Sequence, residues 1–579
     1  MSASIEIEGL NFAYRGQSEG KALDDFSLKV NQGEFLVVLG PSGAGKSTLA
    51  NCLNGIIPKM TKGRYSGLVR IHGQDIAKLP VAQIAKEVGL VFQEFENQLF
   101  STNVRLEIVF SPENFCFPRE TMDPLIDEVL QVVGLEDCSG REPATLSGGQ
   151  KQRLAIGSIL AGKPKIICMD EPTTDLDPIG KLGVFSIAGK LRQESKITLV
   201  IIEHETEEAL HADRVMIMDR GKILRLGTPR EILPDIPVFD ACGIMPLQIP
   251  KYFSRYPDIA RTDLPLTPAE GLKFFREKGF SVAPGRHADL VRRDQERTAT
   301  YGKVLIEVEG LTHTYPNGTT ALSNVDLEVR EGEFLAILGH NGSGKTTLAK
   351  HLNALLQPTR GQVKVCGMDT TRHSVYEIGK EIGYVFQNPD HQIFTETVFD
   401  EVAFGPRLRG VPEAEIKARV SEALHAVELD GHENADPFTL SKGERQRVAV
   451  ASVLAAKPRI IILDEPTTGL DYAAQRKMMD LVRRLNEKGH AIIIITHAMW
   501  VAAEYAHRVV VVGRGKIAMH GTTREVFAQD EALALQQLRT PHVVAMSNQL
   551  KYTCLSVEEL AACTERRVAR LEPLRVSGR

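Results

Sequence analysis

A lysine and a hydroxyl residue closing a glycine-rich turn occur twice in this 579-residue chain. The first set is Gly40, Pro41, Ser42, Gly43, Ala44, Gly45, Lys46, Ser47 and Thr48, between the apolar run FLVVL and the helix-like pattern LANCL. The second is Gly339, His340, Asn341, Gly342, Ser343, Gly344, Lys345, Thr346 and Thr347, after FLAIL. Glycines at these spacings let successive backbone N–H groups turn inward onto phosphate oxygens, and the dipole of the following helix adds to the pull. The lysine would reach the outer phosphates. Ser47 or Thr346 would offer a hydroxyl to Mg²⁺. Two copies in matching strand-to-helix contexts imply nucleotide binding, with ATP and Mg²⁺ as the ligands.

Two acidic pairs follow downstream. Asp170 and Glu171 end the apolar run IICM, and Asp464 and Glu465 end IIIL. An aspartate at the C-terminal end of a buried strand can hold Mg²⁺, directly or through water. The next glutamate can polarise a water in line with the γ-phosphate. These landmarks recur at a nearly constant offset of about 295 residues, which means two homologous units rather than scattered matches.

The elements that must position these residues alternate between strands and helices, so each unit is expected to be α/β. Residues 27–30 and 326–329 alternate like half-exposed strands, and 124–133 and 413–427 carry helical patterns. Residues 165–169 and 459–463 are continuous β-rich runs, apolar after a leading Lys165 or Arg459, suited to strands of a parallel sheet buried on both faces. The expected organisation is a first nucleotide-binding domain over 1–235, a connecting region over 236–300, a second domain over 301–535 and a C-terminal appendage over 536–579. The connector contains a capping box with proline at the first helical position, TPAE from Thr267, with Gly279 to close the helix. SVEE from Ser556 is its counterpart after the second domain. The charged run 292–297, RRDQER, is expected to be a solvated face carrying no site.

Composition narrows the classes. The net charge of −5 gives no overall push toward nucleic acid. The longest apolar stretches fall far short of a membrane span, so any membrane role must come through partners. The opening MSASIEIEGL lacks a signal-peptide pattern, and eight cysteines without a C-x-x-C pair suit a reducing compartment; a cytosolic location is expected.

LSGGQ from Leu146, followed by KQRLAIGSILA, resembles the signature of the ATP-binding cassette (ABC) family, and LSKGE from Leu440 is its second copy. The resemblance implies two tandem ABC ATPase cassettes, each with a parallel-sheet core, an antiparallel β segment and an α-helical subdomain. It also implies that the cassettes pair head to tail within the chain. The first phosphate loop would then work with Ser441 and Gly443, and the second with Ser147 and Gly149. By the same resemblance Gln93 and Gln387 touch Mg²⁺ and the attacking water, and Asp177 and Asp471 cross the interface. His204 and His497 sense the γ-phosphate, and Tyr14 and Tyr315 stack on adenine. Lys442 replaces the first signature glycine, so the two sites should be competent but not identical.

The stretch after the second glutamine, VFQNPDHQIFTETVFDEVAFGPRLRG over 385–410, looks like the ATPases of energy-coupling factor (ECF) transporters. Asn388, Pro389, Asp390 and Gln392 fit that pattern, and Asn97 and Gln98 fit it in part, because the first copy lacks the Pro-Asp pair. This resemblance implies an importer motor for a vitamin or transition-metal ion. Its partners would be a transmembrane coupling subunit and a small substrate-binding membrane protein, and its place the cytoplasmic face of the membrane. The alternative is a soluble tandem cassette acting on ribosomes. Those usually carry a long charged helical linker, whereas this connector holds Pro246, Pro250, Pro257, Pro265, Pro268 and Pro284. A DNA-repair ATPase would need a heptad insertion or a zinc pair, and a sugar-importer double ATPase typically has a damaged second site.

Overall fold

The computed structural model describes residues 3–16, 20–173 and 176–566. The first cassette holds β1 (Ala3–Tyr14), β2 (Leu23–Asn31), β3 (Phe35–Leu39), β4 (Gly63–Ile71), β5 (Gln74–Asp75), β6 (Val88–Val91), β7 (Ile166–Asp170), β8 (Thr198–Glu203), β9 (Arg214–Asp219) and β10 (Lys222–Gly227). They form an antiparallel sheet, β2-β1-β4-β5, and a six-stranded sheet, β10-β9-β3-β8-β7-β6, parallel except for β10. Every residue of β3, β7 and β8 is buried, as unalternating apolar runs demand. β2 alternates and buries one face, and it extends well beyond the four residues whose pattern was evident in the sequence.

The second cassette repeats the plan. Between the two lies β11 (Phe280–Val282); then come β12 (Val304–Thr314), β13 (Thr320–Arg330), β14 (Phe334–Leu338), β15 (Arg360–Val365), β16 (Met368–Asp369), β17 (Ile382–Val385), β18 (Ile460–Asp464), β19 (Ala491–Ile495), β20 (Arg508–Gly513), β21 (Lys516–Thr522) and, near the end, β22 (Thr564–Arg566). Sheets β13-β12-β15-β16 and β17-β18-β19-β14-β20-β21 match those of the first unit.

Each cassette also has a helical part, Val104–Asn114 with Arg119–Val133 in the first and Val398–Leu408 with Glu413–Ala426 in the second. Pro124 lies inside its helix rather than at its start, because the chain already turns helical after Pro118.

The connector and the C-terminal stretch pack on each other. β11 pairs antiparallel with β22, and the Tyr252 hydroxyl donates to Thr564 Oγ1 at 2.8 Å. Tyr252, Phe253, Phe275 and Phe280 share one apolar core with Met546, Leu560 and the second cassette.

Both expected caps form with a shift. Thr267 Oγ1 accepts from Glu270 N and Ser556 Oγ from Glu559 N, but the glutamates accept from Leu266 N and Leu555 N, one residue earlier than a capping box requires. The run 292–297 lies in the helix Pro284–Ala299, and Asp294 there is not left to solvent: it takes a bond of 2.8 Å from Arg524, which also binds Glu559.

Candidate active site

Backbone conformation builds both phosphate loops. Gly43 and Gly45 sit at φ +77° and +97°, and Gly342 and Gly344 at +78° and +110°. A Cβ at Gly45 would lie 2.2 Å from the Ala22 carbonyl oxygen, so both sterics and φ demand glycine. The helices Lys46–Leu53 and Lys345–Leu352 start there with their N–H groups turned to the loop. Lys46 Nζ donates to the Gly40 and Pro41 carbonyls at 2.7 and 2.9 Å, and Lys345 Nζ to those of Gly339 and His340 at 2.8 and 3.1 Å. Burial pulls both lysines below their usual pKa; carboxylates oppose it, including Asp471 at Lys46 and Asp177 at Lys345. Each lysine therefore feels an aspartate of the other cassette.

The acidic pairs end β7 and β18. Glu171 and Glu465 are buried and hold φ of +49° and +48°, a left-handed conformation that costs a side-chain-bearing residue on the order of 1–3 kcal/mol. The sheet enforces it: Glu171 N donates to Ile202 O at 3.0 Å and Glu465 N to Ile495 O at 2.9 Å. The histidines close on these carboxylates. His204 Nε2 lies 2.6 Å from Glu171 Oε1, and His497 Nδ1 lies 2.9 Å from Glu465 Oε2, so opposite ring nitrogens are used. Burial works against the charged form of Glu465, but His497 beside it holds the carboxyl below its ordinary range. Gln93 Nε2 donates to Glu171 Oε2 at 2.7 Å, whereas Gln387 is exposed and makes no side-chain hydrogen bond among the described residues.

These groups suit Mg²⁺. Asp170 Oδ1 is buried with no hydrogen-bond partner among the described residues. Ser47 lies beside Asp170 and Thr346 beside Asp464, while burial pushes both carboxyls up. No described group of three His, Cys, Asp or Glu side chains could hold a metal by itself. Mg²⁺ keeps several waters and phosphate oxygens, so a hydroxyl and a carboxylate suffice.

Tyr14 and Tyr315 are half-buried, with their hydroxyls 3.0 Å (Tyr14 to Thr48 Oγ1) and 3.1 Å (Tyr315 to Thr347 Oγ1) from the phosphate-loop helices. Ser147 and Ser441 cap the helices Gly148–Leu160 and Lys442–Ala455 through full capping boxes with Gln150 and Glu444. Among the described residues neither serine, nor Gly149 or Gly443, bonds the opposite phosphate loop. The aspartates make that crossing: Asp177 Oδ2 accepts from Asn341 N at 2.9 Å, and Asp471 Oδ2 from Ser42 N at 3.1 Å. The two cassettes thus face each other head to tail.

With the geometry in place, likeness to known proteins can be set beside it. A profile described as "ABC transporter" matches residues 23–174 and 322–468, each span holding a phosphate loop and its acidic pair. A relative named as an ABC transporter ATP-binding protein, TTE1589 of Caldanaerobacter subterraneus subsp. tengcongensis, is 58% identical over 97% of this chain and 99% of its own. This chain belongs to the ABC transporter family. It is an ABC ATPase with two ATP-binding cassettes. A similarly named protein of Methanosarcina acetivorans is 40% identical over 97% of this ABC chain and 93% of its own. The solved cbiO1 of Clostridium perfringens, described as part of the ABC transporter complex cbiONQ, is 35% identical, with a TM-score of 0.38; the match covers 43% of this chain and 98% of that one.

Three features of this ABC ATPase escaped the sequence reading. Tyr384 donates to Asp464 Oδ2 at 2.7 Å, while the first cassette has Leu90 there. Buried Glu203 replaces the Thr496 of the second copy and takes a 2.9 Å bond from Thr173. Glu96 pairs with Lys151 at 2.9 Å where the second copy pairs Asp390 with Arg445 at 2.7 Å, so the first copy rebuilds the bridge its missing Pro-Asp pair had put in question.

Proposed function

We propose that this ABC ATPase is the fused motor of an ECF-type importer, coupling ATP turnover at two composite sites to uptake of a vitamin or transition-metal ion through membrane partners. The observation that carries this reading is the presence of two exposed aromatic pairs in the segments that follow Gln93 and Gln387. In the first, Phe100 and Phe110 meet edge to face at 4.6 Å and are 63% and 44% exposed, in a groove of about 560 Å³. In the second, Phe394 and Phe404 meet at 4.8 Å and are 62% and 45% exposed. Exposed aromatics fixed this way mark a protein-binding surface. The loops carrying them are pinned by buried carboxylates: Glu107 accepts from Phe100 N and Ser101 N, and Glu401 from Phe394 N and Thr395 N. Both aromatic pairs lie in the segments that resemble ECF ATPases.

In this mechanism the phosphate loops hold ATP, and Lys46 and Lys345 leave their loop carbonyls for its outer phosphates. Ser47 with Asp170 and Gln93, and Thr346 with Asp464 and Gln387, would hold Mg²⁺, which supplies charge neutralisation on the phosphates. Glu171 and Glu465 orient and deprotonate the attacking water, and His204 and His497 fix those carboxylates. Asp177 and Asp471 hold each phosphate loop against the opposite cassette, which brings Ser441 and Gly443 to the first site and Ser147 and Gly149 to the second. Tyr14 and Tyr315 receive adenine. Closure moves the two aromatic pairs, and with them the coupling helices of the transmembrane subunit.

Photo-crosslinkers placed at Phe100 and Phe394 in cells test the reading. Capture of a polytopic membrane protein at both positions is expected. Capture of ribosomal proteins would reassign the chain to the soluble tandem class.

A further inference from the structure

A cavity of about 190 Å³ lies where the two cassettes, the connector and the C-terminal stretch meet. One wall is acidic: Glu205, Glu207 and Glu208 follow His204 in the first cassette. The other is apolar, from Met245 of the connector and from Tyr472, Met499 and Trp500 of the second cassette. The carboxylates are unequally satisfied. Glu205 is paired with Lys181, and Glu207 has His542 at 3.4 Å. Glu208 is only 8% exposed and has neither a hydrogen bond nor an ion pair among the described residues. The Thr468 hydroxyl in the facing wall is also buried without a partner among them. Arg539 and Lys181 line the same space and attract Glu207 and Glu208 at longer range, but among the described residues neither forms an ion pair with Glu208. A buried carboxylate left without a direct ion pair is costly, and a cation entering the cavity would supply one.

We infer that this cavity binds a small organic cation, an ammonium group on a short apolar body, with Glu208 as its counter-charge and the Tyr472–Trp500 wall as its apolar seat. The carboxylates do not converge into a set that could hold a bare metal ion, and the apolar wall would be wasted on one. Burial, with Glu205 and Glu207 close by, pushes the Glu208 carboxyl up to about 7 against the opposing pull of Lys181 and Arg539, so cation binding should release protons near neutral pH. Because both cassettes wall the cavity, an occupant favours the closed arrangement and slows the opening that follows each turnover.

Trp500 is the chain's sole tryptophan, buried and stacked under Arg476 at 4.8 Å, so intrinsic emission reports on this wall alone. The full chain is titrated with n-butylamine at constant ionic strength, with 1-butanol as uncharged control and calorimetry in parallel. The expected result is a saturable emission change and binding heat with butylamine only, accompanied by slower ATP turnover. Glu208→Gln should weaken that binding roughly tenfold to hundredfold, the loss of one charge-assisted contact, and leave basal turnover intact. Glu208→Asp should retain part of it. No saturable signal by either method, an equal response to butanol, or equal affinity in Glu208→Gln would each overturn the inference.

Discussion

The Asp177 carboxylate does two things at once: Oδ1 accepts from Gly180 N at 2.8 Å, capping its own helix, and Oδ2 accepts from Asn341 N in the other cassette's phosphate loop at 2.9 Å. Asp471 does the same with Ala474 N at 2.9 Å and Ser42 N at 3.1 Å. A helix start in one cassette is thereby tied to the nucleotide loop of the other, twice.

Removing that tie should impair turnover more than stability. Asp177→Ala and Asp471→Ala each lose a charged hydrogen bond across the interface, worth about 1.5–3 kcal/mol. Steady-state ATP hydrolysis is expected to fall roughly tenfold or more in each. Full activity in either variant would show that the crossing bond does not matter for catalysis.

Glu171 and Glu465, proposed to activate the attacking water, should be individually required. Glu171→Gln and Glu465→Gln are each expected to lower steady-state turnover at least about twofold, and the double variant by about 100-fold or more, with ATP binding retained. Unchanged hydrolysis in one single variant would mean that only the other site works.

Tyr384 should distinguish the two metal positions. Tyr384→Phe removes the bond to Asp464 and leaves the first site untouched, since Leu90 stands there. The Mg²⁺ dependence of turnover is expected to become biphasic, with one half-saturation shifted several-fold. A single unshifted curve would argue against Asp464 as a metal ligand.

Glu203 should make stability pH-dependent. Burial pushes its carboxyl up to about 8, against 4.5 for an ordinary glutamate. The folded state therefore holds the proton more tightly than the unfolded chain. The stabilisation is complete below about pH 4.5, fades as pH rises and is gone above about pH 8. Glu203→Gln, which cannot ionise, is expected to leave Tm unchanged near pH 5 and raise it by about 2–4 °C at pH 8.5. An equal Tm difference at both pH values would contradict the assignment.

Much of this was legible in the sequence because it is local. A phosphate loop needs glycines such as Gly45 at fixed spacing, and a doubly buried strand such as β7 must read as an unbroken apolar run. The repeat located the second copy of each, but it directs attention to sameness. Tyr384 opposite Leu90 and Glu203 opposite Thr496 are differences between copies, and they stayed hidden. Residues distant in sequence were hidden too. Nothing around Phe280 announces β22, and nothing in the spacing of Phe394 and Phe404 says that the fold leaves both outside the core. The caps at Thr267 and Ser556 were correctly placed, yet their glutamates reach one residue too far back, a choice made by the packing of the preceding loop.

Docking of membrane subunits on the two exposed aromatic pairs is tested most directly by gentle detergent pull-down from native membranes. The parent chain is compared with a Phe100→Asp, Phe394→Asp double variant. A polytopic membrane protein together with a small membrane protein is expected to co-purify with the parent and to be lost from the variant, while ATP turnover of the isolated chain persists. Ribosomal proteins in place of a membrane partner, or equal recovery of the membrane proteins with both chains, would contradict the account.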